Sequence, residues 1–254
     1  MTTELLRDRM LRGEVLSSTF LKTPALQLVE VLALSGMDCV ALDAEHAPFD
    51  RVSMDACLGV ARALGFPALV RVPDGSSSAI LTALDSGAVG VIVPHVDTVE
   101  KAKAVAQAAR FGHGGRGFAG STRWAGYATR PMADILARCT VETIVIGQIE
   151  EPEAVDAIDG IAAVEGLDGL FVGPADLAVC FGKTDSAAPE VRDAIGKVGK
   201  AARKHGKCLI TFAPDTSWVP DLKALGVTMF FIGSEHGFML DGAKQVAEHF
   251  QGAT

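Results

Sequence analysis

The feature that most constrains the fold of this chain is an alternation. Short apolar runs at 15–20, 39–42, 68–72, 89–93, 144–149, 169–172, 208–212 and 229–232 are separated by longer stretches of helical pattern at 24–35, 52–64, 76–86, 99–109, 152–159, 189–205, 217–225 and 238–250. Most of the short runs are apolar throughout, as parallel strands covered on the outside by helices must be. Glycines at 36, 65, 87, 206 and 226 stand where helices end and supply the left-handed cap. Eight strands, each followed by a helix, is the count of a single (β/α)8 TIM barrel, and 254 residues is an ordinary length for one. A doubly wound open sheet has the same order of elements and stays open at this point. No linker or sequence repeat interrupts residues 1–254, which therefore read as one domain.

A formal net charge of −8 argues against nucleic acid or an anionic membrane as a partner, because phosphate binding needs a basic surface. The five cysteines, at 39, 57, 139, 180 and 208, show no C-x-x-C spacing, so neither a zinc site nor a redox motif is suggested. Dispersed free thiols fit a reducing compartment. The charged N-terminus lacks an apolar targeting segment, and the expectation is a cytoplasmic protein.

One stretch breaks the pattern. Residues 110–131 hold six glycines and the arginines 110, 116, 123 and 130, and read as a mobile loop that carries Arg116 and Arg123. No Gly-Lys-Ser/Thr follows, so this is not a nucleotide-binding loop.

In a barrel the C-terminal strand ends face the active site. Gln148 and Glu150 are two apart on one strand and so share a face. Asp176 follows the next strand, roughly 5 Å across the sheet. Two carboxylates aimed at one point repel unless a cation or proton joins them. All-oxygen ligands suit Mg2+ or Mn2+, with Co2+ possible. The alternative is that Glu150 caps the helix after Pro152 and Asp176 caps a later turn. Asp43 stands three residues before His46, and a carboxylate there could orient the ring as a general base; a loop histidine bonded to a helix start is the plainer reading. Arg71, ending an apolar strand, is either paired structurally or reads an anion. His95 lies at a strand end, where packing is the expected role.

The pieces Leu42-Asp43-Ala44-Glu45-His46-Ala47-Pro48, Val70-Arg71-Val72-Pro73, Ile92-Val93-Pro94, Arg116-Gly117, Gln148-Ile149-Glu150 and Val164 through Leu177, with Gly173-Pro174-Ala175-Asp176-Leu177 inside it, occur in one order over most of the chain. In these the sequence resembles the class II pyruvate aldolases of the HpcH/HpaI family. The resemblance implies Glu150 and Asp176 as ligands of a divalent metal, and Gln148 as a contact to the keto acid. It implies Arg71 at the keto oxygen and His46, oriented by Asp43, as the base acting through a metal-bound water. The backbone of Gly173, Pro174 and Ala175 would cradle the substrate carboxylate. Asp85 matches a position that reaches into a neighbouring subunit's site. The family implies a hexamer, a trimer of dimers, with the last helix at 238–250 exchanged between subunits. Departures from the family fall in two places: Glu235 stands where an Asp is frequent, and residues 121–127 lie in a variable region that would shape the aldehyde end of the pocket.

The reaction so implied is reversible cleavage of 4-hydroxy-2-oxo acids to pyruvate or hydroxypyruvate and an aldehyde. The alternatives are an acyl-CoA thioester lyase of the citrate-lyase-like group, a Schiff-base aldolase using Lys22 or Lys183, and a phosphate-binding barrel holding its ligand at Gly233-Ser234.

Overall fold

The alternating runs close on themselves. A computed structural model, describing residues 4–253, shows eight parallel strands hydrogen-bonded in sequence order around a closed barrel. They are β1 (Leu16–Leu21), β2 (Cys39–Asp43), β3 (Ala68–Arg71), β4 (Gly90–Val93), β5 (Ile144–Ile149), β6 (Gly169–Val172), β7 (Cys208–Ala213) and β8 (Met229–Ser234). The helices are α1 (Leu6–Leu11), α2 (Leu26–Ala33), α3 (Arg51–Ala63), α4 (Ser77–Asp85), α5 (Val99–Ala108), α6 (Met132–Glu142), α7 (Pro152–Asp156), α8 (Ile158–Ala162), α9 (Pro174–Cys180), α10 (Pro189–Lys204), α11 (Val219–Ala224) and α12 (Glu235–Ala253). The open-sheet alternative is thereby excluded.

Period two explains why the strands are apolar throughout. One parity, with Leu16, Phe20, Cys39, Ala41, Leu69, Ile92, Ile144, Ile146, Phe171, Ile210, Met229 and Phe231, forms a single buried cluster inside the barrel. The other parity, with Val40, Leu42, Val70, Val91, Val145, Leu170, Val172 and Leu209, packs outward against the helices in a second cluster. Leu6 and Met10 of α1 join the interior set, so α1 plugs the end of the barrel where the strands begin. Arg7 pins it there by an ion pair of 2.7 Å with the buried Asp168.

The helices differ from the sequence expectation. α1, α6 and α9 were not anticipated, and the single helix expected at 152–159 is two short ones, α7 and α8. α6 is an amphipathic helix whose Ile135 and Cys139, four apart, are buried.

Residues 110–131 are not the mobile loop expected. α5 runs back to the start of the strands, and the chain enters β5 from that same end, so the segment stays at the barrel floor. There the Arg116 side chain is fully buried, its Nε donating to Asp85 Oδ1 at 3.1 Å. Its guanidinium lies 4.6 Å from the Phe111 ring centre and 5.0 Å from that of Trp124. Arg123 pairs with Asp55 at 2.6 Å. Residues 121–127 therefore cannot shape the mouth of their own barrel, which lies at the other end.

Gly90 permits the close approach of β4 to β5, the two strands that carry His95 and Glu150. A Cβ at Gly90 would lie 2.3 Å from the Ile144 carbonyl oxygen, its partner in register. Backbone cannot retreat as a side chain can, so Gly90→Ala should lower unfolding stability by about 3 kcal/mol, the upper part of the overpacking range. Urea denaturation measures it; a loss below about 0.5 kcal/mol would show that the two strands can part.

Candidate active site

The inward parity, apolar through most of the barrel except at the buried Ser18, turns polar at the strand ends. Asp43 ends β2, Arg71 ends β3, Gln148 lies near the end of β5, and Glu45 and Glu150 extend the same parity just beyond β2 and β5. All five side chains are buried or nearly so.

Asp43 is fully buried and accepts four hydrogen bonds. Arg71 Nε reaches Oδ1 at 3.0 Å and Arg71 Nη2 reaches Oδ2 at 2.8 Å. Lys22 Nζ donates to Oδ2 at 2.8 Å, and the His46 backbone N–H to Oδ1 at 3.1 Å. Burial alone would raise the carboxyl pKa. The Arg71 hydrogen bonds and charge, then Lys22 and the His46 amide, outweigh burial and hold it down to about 2. Stability carried by this ion is present above the ordinary range near 3.8 and is lost only as pH falls through about 2. The Arg71 guanidinium also stacks 4.4 Å from the Phe20 ring centre. It bonds through Nε and Nη2, which leaves Nη1 without a protein acceptor among the described residues.

Asp43 thus holds the backbone of His46, not its ring as expected. The chain leaves β2 in a turn in which the carboxylate accepts a main-chain N–H, and the ring swings out to solvent. The carboxylate facing that ring is Glu45, with Oε2 3.8 Å from Nε2. The spacing of two between Asp43 and Glu45 places both on the inward parity. Burial raises the Glu45 pKa; Arg71 and His46 oppose this, while Glu150 and Asp43 add to it.

Glu150 forms the other wall. Its Oε1 accepts the His95 N–H at 2.7 Å, and its Oε2 accepts the Gln148 side-chain amide. His95 is not a packing residue: its side chain is 62% exposed, and its φ of 56° lies in the left-handed region. That conformation costs on the order of 1 kcal/mol for a non-glycine residue and aims both its N–H and its ring at acids. Nδ1 lies 3.0 Å from Glu150 and 2.5 Å from Glu151. The Glu151 hydrogen bond raises the His95 pKa; burial opposes it, and Glu150 and Glu45 add to the rise.

Two features fit this wall to a cation. Ligand atoms of Glu45, His95 and Glu150 lie within 4.8 Å of one another. Gln148 Oε1 is buried without a hydrogen-bond partner, and Glu45 Oε2, which also makes no hydrogen bond, lies 3.3 Å from Arg71 Nε. Asp176 is outside that trio, exposed on the first turn of α9. It meets Glu150 across Gly173: a Cβ at Gly173 would lie 3.0 Å from Asp176 Oδ2 and 3.4 Å from Glu150 Oε2. Gly173 and Pro174 are buried beside it and Ala175 is exposed. Asp85 is elsewhere, at the C-terminal end of α4 on the barrel floor, paired with Arg116.

Known proteins extend the picture. The HpcH/HpaI aldolase/citrate lyase family profile matches residues 16–241. A 5-keto-4-deoxy-D-glucarate aldolase of Klebsiella pneumoniae is 35% identical over 224 residues, 87% of each chain. A solved HpcH/HpaI aldolase/citrate lyase family protein from Burkholderia cenocepacia superposes with a TM-score of 0.91 at 30% identity, over 97% of this chain and 98% of its own. A solved citrate synthase does so with a TM-score of 0.86 at 27% identity, over 98% and 99%.

A bidentate fork cannot be reproduced by a lysine. On the role that the resemblance implies for Arg71, Arg71→Lys should lower kcat by about 10²–10³-fold, as loss of one preorganised donor at a developing oxyanion does. Steady-state kinetics of keto-acid formation measures this, and a change under about threefold would remove Arg71 from the site.

Proposed function

The chain belongs to the HpcH/HpaI aldolase/citrate lyase family and is a carbon–carbon lyase, and from that premise we propose that it cleaves and forms 4-hydroxy-2-oxo acids in a metal-dependent aldol reaction with pyruvate or hydroxypyruvate as the keto-acid product. The observation that carries this reading is the two-walled mouth: acids and an orphaned amide oxygen at the end of β5, a locked guanidinium at the end of β3.

Glu150 and Asp176, on either side of Gly173, would hold a divalent ion such as Mg2+, Mn2+ or Co2+, with Glu45 and His95 beside them. The bound ion supplies a Lewis acid to the keto acid. Gln148 would place its unbonded carbonyl oxygen beside that substrate, with the Gly173–Ala175 backbone at its carboxylate. Arg71 would turn Nη1 to the keto oxygen and stabilise negative charge as the enolate develops. In cleavage His46 takes the proton of the C4 hydroxyl, the C3–C4 bond breaks, the aldehyde leaves, and the electron pair stays on the enolate, whose C3 is then reprotonated. Alanine at His46 should lower kcat by about 10²–10⁴-fold.

The same reading extends to assembly. α12 shows Met239, Leu240 and Val246 to solvent. Outside β1 and β8 runs a groove of about 350 Å³ lined by Val15, Val219, Phe230 and Ile232. An exchanged last helix would cover such apolar surface, and Asp85, far from its own mouth, would serve a neighbour in a hexamer built as a trimer of dimers. Among the described residues no helix is long and apolar enough to cross a membrane.

The test is release of pyruvate from 4-hydroxy-2-oxo acids, 5-keto-4-deoxy-D-glucarate first, coupled to a pyruvate-consuming dehydrogenase. Activity should vanish with EDTA and return with Mg2+, Mn2+ or Co2+. Activity indifferent to EDTA, together with a borohydride-trapped pyruvate adduct on Lys22, would instead establish the Schiff-base route. Cleavage of acyl-CoA thioesters alone would establish the lyase alternative.

A further inference from the structure

Lys22 is the first residue past β1 and continues the inward parity of Phe20. Its backbone is fixed from across the β8–β1 seam. The buried Glu235 accepts the Lys22 N–H with both oxygens at 3.0 Å and the Thr23 N–H at 2.7 Å. The Thr23 hydroxyl in turn meets His236 Nε2 at 2.8 Å. The longer Glu235, where the family frequently has Asp, thus does a defined job: it anchors the main chain beneath Lys22.

The Lys22 ammonium has three donors. One goes to Asp43 Oδ2; the other two find no protein acceptor among the described residues, and the side chain is 30% exposed. In a closed barrel of eight strands in sequence order, β1 stands diametrically across from β5. A keto acid held at Glu150 and running past Arg71 on β3 therefore directs its far end toward the β1 side of the mouth. We propose that Lys22 is a specificity-determining residue which binds an anionic group, a carboxylate above all, at the end of the substrate remote from the keto acid. The aldehyde product would then itself be an acid. This rests on the aldol reading above and deepens it.

The structural role open to Lys22 is support of Asp43, which already has Arg71 and the His46 amide. Support of Asp43 affects every acceptor alike; binding of a distal anion does not. The experiment is condensation of pyruvate with glyoxylate, an anionic aldehyde, and with glycolaldehyde, a neutral one of similar size, in wild type, Lys22→Met and Lys22→Arg. The ratio of kcat/KM values, glyoxylate over glycolaldehyde, should fall about 10–100-fold in Lys22→Met, the worth of a charge-assisted hydrogen bond, and be largely kept in Lys22→Arg. A Lys22→Met enzyme that loses both acceptors in proportion, or neither, would overturn the proposal and leave Lys22 as a support of Asp43. Deuterium exchange at pyruvate C3, followed by NMR in the wild type without any aldehyde, tests the underlying reading separately. Wild-type exchange with an unmoved ratio refutes Lys22 alone; no exchange refutes the aldol reading and this proposal with it.

Discussion

The candidate site depends on one buried negative charge. Asp43 sits at the top of the barrel interior and is satisfied by donors from Lys22 just past β1, from β3 and from the turn after β2. A carboxylate in that position is costly to desolvate and persists only because four donors converge on it. Their convergence fixes the Arg71 guanidinium in plane and direction against Phe20, so that one nitrogen is left over for a ligand. A donor held in place before any ligand arrives needs no reorganisation on binding.

The neighbouring side of the mouth, toward β5, has the reverse character. Glu45, Glu150 and Glu151 gather around His95, and Asp176 faces Glu150 across a glycine. Carboxylates this close raise one another's pKa or take a cation. The fold supplies the proximity: β5 and β6 are paired in register through Ile149 and Val172, which places residues 150 and 173 side by side. A mouth with a locked cation on one wall and cation-seeking acids on the other suits a keto acid, whose oxygens bear negative charge at one end.

Much of this was legible in the sequence because both the barrel and the site obey period two. That spacing placed Gln148 with Glu150, and all eight strands were found to within one or two residues. It also links Asp43 to Glu45, whereas the spacing of three to His46 does not give a contact with the ring, because the turn after β2 directs the Asp43 carboxylate to the His46 main-chain N–H. His95 was unreadable, since a positive φ at a residue other than glycine or asparagine leaves no mark in composition. The segment at 110–131 misled for a different reason. Its glycines and arginines look like a flexible active-site loop, yet a connection leading from a helix into a strand lies at the floor of a barrel, and there Arg116 is packed between Phe111 and Trp124. Topology, more than composition, was the signal to trust.

The central claim is that Glu150 and Asp176 together hold a divalent ion at the end of β5 and β6. Titration of the purified protein with Mn2+, followed by loss of the free-ion electron paramagnetic resonance signal, tests it without any assumption about substrate. The account expects one ion per chain in the wild type and binding at least about tenfold weaker in both Glu150→Gln and Asp176→Asn, each folded by circular dichroism. Undiminished binding in either variant, or no binding in the wild type, would contradict it.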